Sequence, residues 1–158
     1  MRVLIIAVLI MVFGSCKSDL EQTNNSSLNK VEIEKNKELV NRLFRDFASK
    51  KNMSFVDSLY ADNIFDHSAF EGQEQGLAGF KKAVAQFSDM FSHIELKIDD
   101  IVAERDVVST RESWKVIRAS DKKEVTGETM HWFRIKNGKI TDEWSKGWEW
   151  LGPMPSAN

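Results

Sequence analysis

Thr129-Met130-His131-Trp132-Phe133-Arg134-Ile135-Lys136-Asn137-Gly138-Lys139-Ile140-Thr141-Asp142-Glu143-Trp144 contains the strongest turn signal in the chain, Asn137-Gly138. A two-residue type I′ turn needs positive φ at both positions, which Asn and Gly tolerate. On the approach, Thr129, His131, Phe133 and Ile135 fall on one face of a period-two pattern. The spacing predicts a hairpin of two strands, 125–135 and 139–150.

The same period extends upstream. Ile94, Leu96 and Ile98 alternate with Glu95, Lys97 and Asp99, which predicts a strand there. Residues 107–117 form the next, between turns at Glu104-Arg105-Asp106 and 119–123. Before residue 91 the period is helical. Leu39, Val40, Leu43, Phe44 and Phe47 predict a helix over 30–49, with Asn29 and Glu32 as a capping box. Ser54 and Asp57 open a short second helix. Leu77, Phe80, Ala83, Val84, Phe87, Met90 and Phe91 mark a third, and residues 64–70 are a short strand candidate. Helices followed by a run of strands give an α+β class, with the helices on one face of an antiparallel sheet.

Composition bounds the function. The chain has 158 residues, 42% hydrophobic, with a net charge of −2. The length fits one domain. Near-neutral charge without a basic block argues against a nucleic-acid partner. Residues 3–13 are an unbroken apolar run after Met1 and Arg2, too short to cross a bilayer, which takes roughly 20 residues. This pattern reads as a signal peptide over 1–15. Phe13-Gly14-Ser15-Cys16 resembles a bacterial lipobox, so Cys16, the only cysteine, is the expected lipidation site and membrane anchor. An exported, envelope-localised protein follows as the expectation. Residues 16–28 are polar and read as a flexible tether, and 29–158 as the domain.

Several strings then resemble one family. They are Tyr60-Ala61-Asp62-Asn63 with His67, Phe80 with Phe87-Ser88-Asp89, Ile101-Val102-Ala103-Glu104-Arg105-Asp106-Val107-Val108, and residues 130–144 quoted above. In order and spacing they resemble the SnoaL-like polyketide cyclase branch of the nuclear transport factor 2-like superfamily. Arg105 stands where that family usually has Gly. The resemblance implies a cone: a strongly curved sheet wrapped around three N-terminal helices, with an apolar pocket at one end. It implies acid/base chemistry or binding of a small apolar molecule without metal or organic cofactor. It also implies a possible homodimer through the outer sheet face.

Within that frame His131 is the leading acid/base candidate, because imidazole titrates near neutrality. His67 is the second, placed to point into the cone mouth. Asp66, its neighbour, should face the other way. Of Asp142 and Glu143, one faces inward. Asp142 shares parity with Trp144 and Ile140 if no bulge intervenes, and is preferred. Trp114, Phe133, Trp144, Trp148 and Tyr60 are the candidate ligand contacts. Glu112 shares parity with Trp114 and either lines the wall or pairs with an Arg across the sheet. Cyclases of this family carry an Asp just beyond the Trp; here Ser145-Lys146-Gly147-Trp148 supplies none. No metal-ligand spacing, phosphate loop or nucleophile elbow is present. The expected function is binding or carriage of a small apolar molecule in the pocket; an acid/base enzyme (cyclase, isomerase or hydrolase) is the alternative and a protein-interaction module the second.

Overall fold

The computed structural model describes residues 18–49 and 53–152. The expected signal peptide and Cys16 lie outside the described residues. The order of elements is α1 (Ser18–Ala48), α2 (Ser54–Leu59), β1 (Tyr60–Asp66), α3 (Leu77–Asp89), β2 (Phe91–Glu104), β3 (Val107–Arg118), β4 (Glu124–Lys136) and β5 (Lys139–Lys146), then a short 3₁₀ turn, Glu149–Leu151. The class is α+β, as expected.

Helix α1 buries Val40, Leu43, Phe44 and Phe47, a stripe at three- and four-residue spacing that lies on the sheet. Burying each such side chain contributes about 1.5–3 kcal/mol. The exposed Arg42–Asp46 pair on the same helix contributes only about 0.3–0.5 kcal/mol. Packing therefore holds α1 in place. Within the described residues the helix already runs from Ser18, well before residue 30 where it was expected. No Gly or Pro interrupts residues 18–29, so nothing local stops the helix at Asn29.

The sheet order is β1-β5-β4-β3-β2. Strands β2 to β5 form the expected antiparallel meander, while β1 joins the far edge parallel to β5. Its span, Tyr60–Asp66, starts four residues before the expected 64–70. The turn at Asn137 and Gly138 has φ of 52° and 71°, as type I′ requires. Arg105, the residue standing where Gly was expected, adopts φ 56°, and Asn36 Nδ2 donates to its carbonyl at 3.5 Å.

Two irregularities determine which side chains reach the interior. In β5, Ile140 pairs with Ile135 but Asp142 pairs with Arg134, so Thr141 is an inserted bulge residue. Beyond it the faces exchange: Ile140 points in, as do Glu143 and Ser145, while Asp142 and Trp144 point out. The strand then ends at Lys146, short of residue 150. Gly147 turns it with φ 94°, and a Cβ there would sit 2.7 Å from the Glu128 carbonyl oxygen. Trp148 folds back over the sheet, and Trp150 lies against Gly127, where a Cβ would come within 2.1 Å of the indole.

Candidate functional site

A cavity of about 110 Å³ lies between α1, α3 and the inner face of the sheet. Its wall is mainly aromatic, including Phe44, Phe47, Phe80, Phe87, Trp114 and Phe133. Ligand pockets for drug-sized molecules run to roughly 300–1,000 Å³, so this one suits a guest of only a few non-hydrogen atoms.

Polar groups enter the wall from four strands and are linked. On β3, Val108, Thr110, Glu112, Trp114 and Val116 form the buried face. On β4, Thr129, His131, Phe133 and Ile135 do so, as the sequence period predicts. Cross-strand register places Glu112 opposite Thr129 and one step from His131. Thr129 Oγ1 donates to Glu112 Oε2 at 2.7 Å, and His131 Nδ1 lies 3.0 Å from the same oxygen. Trp114 Nε1 donates to Thr129 Oγ1 at 2.6 Å. Glu112 thus holds the Nδ1 side of the ring, and Nε2 is turned toward Glu143. The other Glu112 oxygen, Oε1, is buried without a hydrogen-bond partner.

Glu143, on β5, closes the arrangement. Its Oε1 lies 4.0 Å from His131 Nε2, and its Oε2 accepts from the Tyr60 hydroxyl at 2.7 Å. Burial pushes the Glu143 carboxyl up to about 7; His131 and the Tyr60 hydrogen bond oppose the rise, while the charges of Asp66 and Glu112 add to it. Burial, then the charge of Glu143, pushes the Tyr60 hydroxyl well above its ordinary value. Glu143 is therefore a carboxyl poised to hold or release a proton near neutral pH, with the His131 ring beside it.

The expected site residues divide. His131, Tyr60, Trp114, Phe133 and Trp148 all line the cavity. Trp148 arrives from the turn after Gly147, and its ring lies 5.5 Å from His131 and 5.2 Å from Trp114. His67, Asp142 and Trp144 do not line it, which corrects three expectations. His67 Nε2 meets Asp142 Oδ1 at 3.1 Å on the outer face, and its ring stacks on Trp144 at 3.9 Å. The physical reason is the pleat. On β1 it is Asp66 that faces in, so His67 faces out. On β5 the bulge at Thr141 turns Glu143 inward in place of Asp142.

Sequence reasoning missed Asp66 as a wall residue and Glu112 as the partner of His131. The parity of Glu112 with Trp114 was a usable signal, but its partner required the β3–β4 register. Asp66 accepts from Ser68 N at 2.8 Å and Gln73 Nε2 at 2.9 Å, which ties the loop after β1 across the cavity. Among the described residues, no three His, Cys, Asp or Glu side chains converge as metal ligands, and no helix is long and apolar enough to cross a membrane.

The family model described as SnoaL-like polyketide cyclase matches residues 38–147. No curated protein matches the chain. Among solved structures, it is similar to TsrD from Streptomyces laurentii at 14% identity and TM-score 0.65, covering 77% of this chain and 97% of that one. A SnoaL-like polyketide cyclase from Agrobacterium tumefaciens aligns at 12% identity and TM-score 0.62, covering 71% and 90%. An epoxide hydrolase of the LEH-like type from M. tuberculosis aligns at 16% identity and TM-score 0.62, covering 73% and 84%. At these identities the structural likeness establishes the cone fold.

Proposed function

The chain belongs to the SnoaL-like polyketide cyclase family, and from that premise we propose that it is an acid/base enzyme acting on a small, mostly apolar molecule through its own side chains. One observation carries this reading: Glu143, with its carboxyl raised to about 7, faces His131 Nε2 across 4.0 Å inside an aromatic-walled cavity. A wholly apolar interior would suit a carrier, and a filled one an interaction module. This interior is hollow and holds two convergent titratable groups.

In the proposed step, Glu143 in its ionised form takes a proton from a carbon beside a substrate carbonyl. The proton returns to the substrate at the same or a conjugated carbon, and the enzyme is regenerated. Glu112 holds the His131 ring so that Nε2, not Nδ1, faces that carboxyl. A carboxyl near neutrality suits this task, because both its forms are present at working pH.

The test is deuterium exchange at the α-carbons of small ketones and β-keto esters in heavy water, followed by NMR. The native protein should accelerate exchange of at least one member, and Glu143→Gln should lower that rate about 10²-fold or more. If members of the panel bind but exchange no faster with the native protein than with Glu143→Gln, the carrier reading replaces this one.

Two further proposals rest on sequence and surface. Cys16 anchors the protein in the cell envelope through lipid, so Cys16→Ala should leave the membrane fraction. The exposed outer-face residues Trp132, Met130 and Phe65, with Trp144 beside them, suit a homodimer interface, which sedimentation would detect.

A further inference from the structure

The cavity wall is one-sided in hydrogen-bond terms. Tyr60 donates to Glu143, Ser68 Oγ to the Ser145 carbonyl, Trp114 Nε1 to Thr129, and Trp148 Nε1 to Ser145 Oγ. Gln73 Nε2 donates to Asp66, and His131 Nδ1 is held by Glu112. These donors are already engaged within the protein. The hydroxyl of Ser145 and the second N–H of Gln73 are what remains. Apart from His131 Nε2, the unengaged capacity is mostly acceptor: Glu143 Oε1 and the further lone pairs of Asp66 and of the Tyr60 oxygen.

Charge points the same way. The wall carries two carboxyl side chains, Asp66 and Glu143, with Glu112 directly behind His131, and contains no Lys or Arg. A carboxylate or phosphate guest would meet like charge in a low-dielectric space and find few donors, and both effects penalise it. A guest bearing N–H groups and positive charge would meet acceptors, carboxylates and the faces of aromatic rings, which attract cations.

We propose that the cavity takes a small molecule bearing a protonated amine, held by Asp66 and the aromatic wall, with its carbon skeleton set against Glu143 and His131. The inference rests on the same cavity being the working site. It divides the labour of the two wall carboxyls: Asp66 anchors the ammonium, and Glu143 faces the reacting carbon. The substrate class is then a small aminocarbonyl compound.

Three probes of one shape test it: isobutylamine, isobutanol and isobutyrate, titrated at neutral pH into the intact protein and followed by NMR. They share an isopropyl group and nearly one size, and carry positive, no and negative charge. The expected order of affinity is amine, alcohol, acid, with the amine at least about tenfold tighter than the acid. Asp66→Asn, with its fold checked by circular dichroism, should bring the amine down to the level of the alcohol. The order measured on the native protein needs no variant. Equal binding of isobutyrate and isobutylamine, or no binding of the amine at millimolar concentration, overturns the proposal. Binding is read without turnover, so the two claims fail separately. Amine preference without deuterium exchange removes the enzyme reading, and exchange without amine preference removes this one.

Discussion

Asp142 and Glu143 are neighbours on one strand with carboxyls driven in opposite directions. Burial pushes both upward. At Asp142 the hydrogen bonds from His67 and Thr141, with the charges of Arg134 and His67, outweigh burial and hold the carboxyl below its ordinary value. At Glu143 burial wins and the carboxyl rises to about 7. Two histidine–carboxylate pairs repeat the contrast. His131 and Glu112 meet at 3.0 Å with side chains 6% and 0% exposed. His67 and Asp142 meet at 3.1 Å with 31% and 24% exposed. The contact distances are nearly equal, so distance does not separate the pairs. Which face of the sheet a pair occupies decides whether water screens it, and hence whether it can tune chemistry.

The contrast breaks most visibly when one partner is removed from each pair. His131→Ala should destabilise the protein by about 3–5 kcal/mol, because it leaves the fully buried Glu112 with only the Thr129 hydroxyl. Urea denaturation measures this. A loss below about 1 kcal/mol would mean that the inner pair is as well screened as a surface one.

A second, smaller effect concerns pH. The folded Glu143 carboxyl near 7 lies above its ordinary value of 4.5. Between those values the folded state binds more protons than the unfolded state, so stability falls as pH rises through that window. The full change is roughly 3 kcal/mol at about 1.4 kcal/mol per pH unit. Glu143→Gln removes this titration, so its stability should be flatter over the window and should exceed the native value above neutrality. Denaturation at stepped pH checks it, and an unchanged slope would refute the raised carboxyl.

How much of this was legible in the sequence follows from the same geometry. The Asn137-Gly138 hairpin, the meander and the inner face of β4 were readable, because period-two patterning and turn chemistry act locally. The alternation put His131 and Phe133 on one face of β4, and the family resemblance turned that face, with Trp114, toward the pocket. The face of Glu143 was not readable. Local patterning cannot show a single inserted residue at Thr141, and that insertion reverses every assignment after it. β1 failed for a related reason: as a parallel edge strand it takes its register from β5, far away in sequence. Trp148 reaches the cavity through the left-handed turn at Gly147, whereas an unbroken strand would have been the simpler reading of the aromatic run. The partner of His131 was hidden as well, since Glu112 and His131 meet through strand register.

The smallest expected effect sharpens the outer half of the comparison. Asp142→Asn removes the charge facing His67 but keeps an oxygen that can accept from it. The folded carboxyl lies below its ordinary value, so its contribution is present above the unfolded pKa and fades as pH falls through the folded value. The pair is partly exposed, which limits that contribution to at most about 1 kcal/mol at neutral pH, smaller still at high salt. Because His67 is held chiefly by its stack on Trp144, the ring should keep its position in the variant. NMR should show the His67 ring resonances still shifted by the Trp144 indole, alongside a nearly unchanged urea midpoint. A loss comparable to that of His131→Ala would show that the outer pair is as shielded from water as the inner one, and the division between the two faces would no longer explain why Glu143, and not Asp142, is the carboxyl poised near neutrality.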